Sequence, residues 1–158
     1  MEIRELGGSG TRYVSDLQEG EQLGPLQFCL TPQLLEWYLD GIGELDNPLF
    51  RSDGAPCPTV APPTMVHVAK VKLLHHHFPA GAGPHARMHY RFDNRAHSVA
   101  RVGEMLTVSG SCTRRYIKRD RPYVDLELLV RGEDGRLIWE YHDTSLLRLA
   151  VHGGAHAD

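Results

Sequence analysis

Apolar positions along the chain follow two different periods. Residues 1–20 hold few apolar side chains and several glycines, the pattern of a loosely packed leader. A short strand is predicted at 26–30. Thr31-Pro32 reads as a helix cap followed by a first-turn proline. They open a helix over 33–40, where Leu34, Leu35, Trp37, Tyr38 and Leu39 make a broad apolar face and Gly41 and Gly43 end it. Residues 41–63 are irregular and rich in Gly, Asp, Asn and Pro, and a connection of that length in a small domain is usually functional. Pro62-Pro63 then pre-set a second helix over 64–78. In its first two turns the apolar residues lie on nearly every side, interrupted mainly by His67 and Lys70, the pattern of a buried helix.

Strand periodicity governs the rest. Segments 87–92 and 104–118 have strand composition, and 122–130 alternates cleanly, with Val124, Leu126, Leu128 and Val130 set against Asp125 and Glu127. Glu133-Asp134-Gly135-Arg136 reads as a hairpin turn into a last strand over 137–149. The expected class is α+β, a long central helix wrapped by a curved antiparallel sheet. One domain over 1–150 with a flexible tail over 151–158 accounts for the chain.

Composition narrows the partners. The chain has 158 residues and a formal net charge of −3, which argues against nucleic-acid binding driven by net charge. No apolar run approaches the ~20 residues needed to span a bilayer, and no secretory leader is expected. Three widely separated cysteines fit reduced thiols and a cytoplasmic location rather than a disulfide framework. The 10 histidines include the run His75-His76-His77. Adjacent helical residues point about 100° apart, so the run cannot close on one ion unaided. No metal site and no cofactor are expected.

Three segments carry a resemblance. They are Asp46-Asn47-Pro48-Leu49 in the long loop, Val60-Ala61-Pro62-Pro63-Thr64-Met65 at the entry to the second helix, and Val99 to Val108 entering the long strand. In order and spacing they resemble the MaoC-like hot-dog proteins, in particular the N-terminal-type domain of FAS1-like dehydratases, over roughly residues 16 to 149. The resemblance implies a hot-dog fold and acyl thioesters of coenzyme A or an acyl carrier protein as ligands. It implies reversible hydration of trans-2-enoyl to 3-hydroxyacyl thioesters. The family pattern Asp-x-Asn-Pro-x-His puts an acid/base pair around Asn-Pro. Aligned on Asn47-Pro48, this chain has Leu45 and Phe50 at those two places, and neither transfers protons.

The remaining candidates each have two readings. Asp46, next to the family aspartate position, either takes part in proton transfer or turns the loop. His67 is either an acid/base group beside a thioester carbonyl or a hydrogen-bonded core residue. Pro63, Thr64 and Met65 either aim backbone N–H groups at an oxyanion or merely start a helix. Asn47 and Phe50 are placed with them as substrate contacts. Arg115, Lys118 and Arg119, in a stretch dense in basic residues, either cradle coenzyme A phosphates or an acidic carrier protein, or protect a strand edge. His97 and His142 are assigned to surface or packing roles. Three functions follow: a hydro-lyase or related natural-product dehydration or cyclisation enzyme; a non-catalytic acyl-binding subunit paired with a catalytic one; or a thioesterase. All imply a homodimer or a heterodimer with a second hot-dog subunit, and neither nucleic acid nor membrane as partner.

Overall fold

The computed structural model describes residues 11–81 and 87–148. The first half of the leader, part of the loop after the second helix and the C-terminal tail lie outside the described residues. Five strands form one antiparallel sheet: β1 (Gln22–Cys29), β2 (Met88–Ala96), β3 (Met105–Lys118), β4 (Arg121–Arg131) and β5 (Leu137–Leu146), in the order β1-β3-β4-β5-β2. Two helices accompany it, α1 (Pro32–Gly41) and α2 (Val66–His77), the second led in by a 3-10 turn at Pro63–Met65. The expected α+β class and central helix are observed. The meander covers β3, β4 and β5; β2 joins at the far edge beside β5, so the chain passes β5 and β4 on its way from β2 to β3.

Alternation along the strands decides which side chains meet the helix. Val124, Leu126, Leu128 and Val130 of β4, with Trp139 and Tyr141 of β5, are buried, as are Leu106, Val108 and Cys112 of β3. From the helix side come Met65, Val66, Ala69, Leu73 and Leu74. Close approach of strands is built in at Gly110, where a Cβ would sit 2.7 Å from the carbonyl oxygen of Glu127.

Three expectations need correction. On α1, Thr31 caps as predicted, its hydroxyl accepting from Leu34 N–H at 3.2 Å. The apolar face is narrower, however: Leu35 and Leu39 are buried while Trp37 is 68% exposed. Nor is α2 buried all round. Val71 is exposed, and the residue read as an interruption, Lys70, is only 2% exposed. Finally, the described part of the leader is not loose. Val14 and Leu17 are buried in a 3-10 turn that plugs one end of the core, tied by Val14 N–H to the Gly81 carbonyl at 3.2 Å.

Candidate functional site

The Asn47 loop is organised by its own polar groups. Asn47 caps a short turn at Pro48–Phe50, its Oδ1 accepting from Leu49 N–H at 2.9 Å while its Nδ2 donates to Glu44 at 2.6 Å. Leu45 and Phe50, standing at the proton-transfer positions of the resemblance, pack against the core. Asp46 faces solvent with a 99% exposed side chain and meets only the Arg51 guanidinium, at 3.3 Å. In this conformation neither Asp46 nor the positions of Leu45 and Phe50 present an acid or base to the interior.

The start of the central helix offers one free donor. Met65 N–H is spent on the Pro62 carbonyl at 3.0 Å. Pro63 has no N–H, and Thr64 N–H has no acceptor among the described residues, so of Thr64 and Met65 only Thr64 retains a donor. Asn94 of β2 anchors this turn by donating to the Pro63 carbonyl at 2.9 Å.

A polar cluster that sequence reasoning missed begins one turn further along the helix. Period two along β5 places Trp139, Tyr141, Asp143 and Ser145 on the helix-facing side, and the register with β2 sets His89 opposite Ser145 and Phe92 opposite Asp143. Lys70 enters from α2, and its Nζ donates to Asp143 Oδ2 at 2.6 Å. Ser145 donates to the same oxygen at 2.8 Å, and His89 Nδ1 lies 2.9 Å from Oδ1. The Asp143 carboxylate is fully buried. Burial lowers the Lys70 pKa to about 8 even though Asp143 pulls it upward. His89 is 45% exposed, and its ring lies against the pair, Nδ1 2.9 Å from Asp143 Oδ1 and Nε2 3.2 Å from Lys70 Nζ.

His67 is the histidine of this face with a nitrogen to spare. Its Nδ1 lies 3.4 Å from the Tyr141 hydroxyl, and its ring packs edge-on against Phe92 and Tyr141. Burial, reinforced by Lys70 and His89, holds its pKa below the ordinary imidazole value, so it is neutral at pH 7. Burial and the nearby Asp143 carboxylate push the Tyr141 phenol up, so it stays protonated. Phe92 is 55% exposed beside them.

The basic stretch lies elsewhere. Arg115 is a structural clasp: its Nη1 donates to the Ser15 carbonyl at 2.9 Å and to that of Leu17, and its backbone N–H donates to Glu19. Lys118 sits over the Tyr90 ring, 5.6 Å from its centroid. Arg119 occupies the tight β3–β4 turn with φ 52°. That turn lies at the Tyr123–Leu146 end of the sheet, whereas the helix start lies by Asn94 and Tyr141, so these three residues are not brought to Thr64 and His67.

Solved structures share this fold. A monoamine oxidase regulatory protein from Archaeoglobus fulgius superposes over 89% of this chain and 96% of its own with a TM-score of 0.69 at 15% identity. The HadBC (3R)-hydroxyacyl-ACP dehydratase complex of Mycobacterium tuberculosis does so over 81% and 96%, with a TM-score of 0.65 at 18% identity. The fold is that of the MaoC-like hot-dog domains. Another hot-dog structure, the A. caviae (R)-hydratase involved in PHA biosynthesis, aligns over 85% of this chain and 98% of its own, with a TM-score of 0.63 at 16% identity. No protein-family model and no curated protein matches the sequence. No helix among the described residues of this hot-dog chain is long and apolar enough to cross a membrane.

Proposed function

We propose that this hot-dog chain binds an acyl thioester of coenzyme A or an acyl carrier protein, and adds or removes water across its C2–C3 bond. The observation that supports the reading is the meeting of Thr64 N–H, an unspent donor at the start of the central helix, with His67 one turn below it. Donors aimed at a developing oxyanion and a proton-transfer group near neutrality are the two needs of this chemistry.

In the hydration direction, His67 donates Nδ1–H to the Tyr141 oxygen, which leaves the Nε2 lone pair free. Nε2 takes a proton from water as the water oxygen bonds to C3. The C2–C3 π pair moves toward the thioester oxygen, whose charge Thr64 N–H stabilises. The enolate then collapses and C2 takes the proton back from the imidazolium. One water is added, and His67 and Tyr141 are restored. Dehydration is the reverse. His67 replaces the loop pair lost to Leu45 and Phe50, and Phe92 offers the acyl chain an apolar surface.

The test is hydration of crotonyl-CoA and longer enoyl-CoA by pure protein. Turnover that falls at least 100-fold in His67→Gln, the range expected for a general base, supports the proposal. Absence of turnover with every enoyl thioester overturns it.

A second reading is favoured by the packed Leu45 and Phe50 and the solvent-facing Asp46: an acyl-binding subunit whose catalytic groups come from a second hot-dog chain. Activity that arises only when the two chains are mixed supports this reading, and a homodimer active alone excludes it. Thiol release from acyl-CoA separates either reading from thioesterase chemistry.

A further inference from the structure

The convex face of the sheet, turned away from the central helix, carries a convergence of donors that the proposed thioester chemistry does not use. Glu127 of β4 and His142 of β5 are directly paired across the strands, and Glu140 lies two residues along from His142 on the same face. One donor atom from each of the three lies within 4.8 Å of the others. His142 Nε2 is 2.9 Å from Glu140 Oε1 and 4.0 Å from Glu127 Oε1. A fourth group arrives from a different segment: His97 Nε2 lies 3.0 Å from the other oxygen of Glu140. His97 is held there by its backbone N–H to the Ile138 carbonyl at 2.9 Å and by Ser98, whose hydroxyl donates to the Leu137 carbonyl.

We propose that Glu127, Glu140 and His142 bind a divalent transition-metal ion of the zinc class, with His97 orienting Glu140 from behind. Mixed imidazole and carboxylate donors suit such an ion better than calcium or magnesium, which favour all-oxygen shells. Ligand distances near 2.1 Å set donors about 3–4 Å apart, so the three atoms need move less than about 1 Å. A carboxylate held on one oxygen by an imidazole N–H and offering the other to a metal is the usual outer-shell arrangement around a bound ion. The two carboxylates have imidazoles as their only ion-pair partners among the described residues. A dication neutralises the pair. Strands β4 and β5 fix the backbone positions from which the three side chains converge. His142 also forms part of the wall of an adjoining cavity of about 280 Å³ lined by Arg91, Asp93, Thr113, Asp125 and Thr144.

The inference does not depend on the thioester reading, and its test needs no turnover. Zinc chloride is titrated calorimetrically into the full chain, and cobalt(II) is followed by visible absorption. One equivalent is expected to bind, with cobalt giving the absorption of a low-coordinate site. His142→Ala and Glu140→Gln, surface changes whose folding is checked by circular dichroism, are expected to weaken binding more than tenfold. His97→Ala is expected to weaken it about tenfold through the outer shell. His75→Ala/His76→Ala, which removes exposed imidazoles of the α2 run, is expected to leave it unchanged. No uptake, uptake unaffected by His142→Ala and Glu140→Gln, or uptake lost with His75 and His76 would each overturn the assignment.

Discussion

Replacing Lys70 by Met removes the one ammonium group inside the domain and leaves its length and apolar stem. The Asp143 carboxylate then remains buried beside Ser145, His89 and Tyr141, with the largely buried Arg87 as its nearest remaining cation. Breaking a buried pair from one side costs about 3–5 kcal/mol. For a domain of this size that lowers Tm by roughly 6–20 °C. The double replacement Lys70→Met/Asp143→Asn should behave differently. Its amide can still accept from His89 and donate to Ser145, and the buried ammonium–carboxylate pair is gone, with Arg87 the cation left nearby. Burial outweighs the attraction of Asp143, because the Lys70 pKa falls from 10.5 to about 8. At about 1.4 kcal/mol per pKa unit, the folded state favours the neutral amine by about 3 kcal/mol relative to the unfolded chain. The double variant is therefore expected to recover most of the loss and to match or exceed the parent.

The same numbers give a pH signature. Between about pH 8 and 10.5 the unfolded chain keeps the Lys70 proton and the folded chain releases it, so parental stability gains about 3 kcal/mol from this group across that window. Neither variant has that gain. Urea unfolding at pH 7 and pH 10, followed by the fluorescence of buried Trp139 against exposed Trp37, measures both effects. If the double variant falls as far as the single one, or all three proteins share one pH slope, the pair is not desolvated and the reasoning fails.

Further outcomes follow from other parts of the molecule. His67, His77 and His89 all have pKa values lowered chiefly by burial, so the unfolded chain binds protons before the folded one as pH drops below about 6.5. Urea midpoints are therefore expected to fall from pH 7.5 to 5.5, and a rise would contradict the burial of these rings. Gly110→Ala places a methyl 2.7 Å from a backbone carbonyl of β4, which cannot yield without parting the strands, and a loss of about 1–3 kcal/mol is expected in the same assay. Asp46→Ala is expected to change stability by under about 0.5 kcal/mol and to leave enoyl-thioester turnover intact, since its side chain faces solvent. A large loss of turnover would return the loop to the reaction.

What the sequence revealed and what it hid follow one physical division, between local and paired information. Helix caps, prolines and apolar periods are local, so Thr31, the Pro62-Pro63 entry and the alternation of β4 were readable residue by residue. The apolar residues of the loop were readable for the same reason: Leu45 and Phe50 stand at fixed steps from Asn47-Pro48, and the structure turns both toward apolar packing. Lys70 and Asp143 are the opposite case. Each alone resembles a solvated charge. Yet Lys70 follows Val66 by four residues and precedes Leu73 by three, on the inward stripe of α2, and Asp143 follows Trp139 and Tyr141 in strict alternation on β5. Two inward-pointing charges of opposite sign, 73 residues apart, required each other, and only the crossing of helix and strand shows that they meet. Arg115 is a further case: it is exposed, as a run of basic residues suggests, but its partners, the Ser15 and Leu17 carbonyls, lie 100 and 98 residues upstream and no local pattern names them. The site inherits this division. His67 stood out by its place on the helix, whereas its surroundings, Tyr141 at Nδ1 and the Lys70–Asp143 pair that occupies His89, exist only once β5 and β2 are laid beside α2. His67, unlike His89, sets neither ring nitrogen against the Lys70–Asp143 pair.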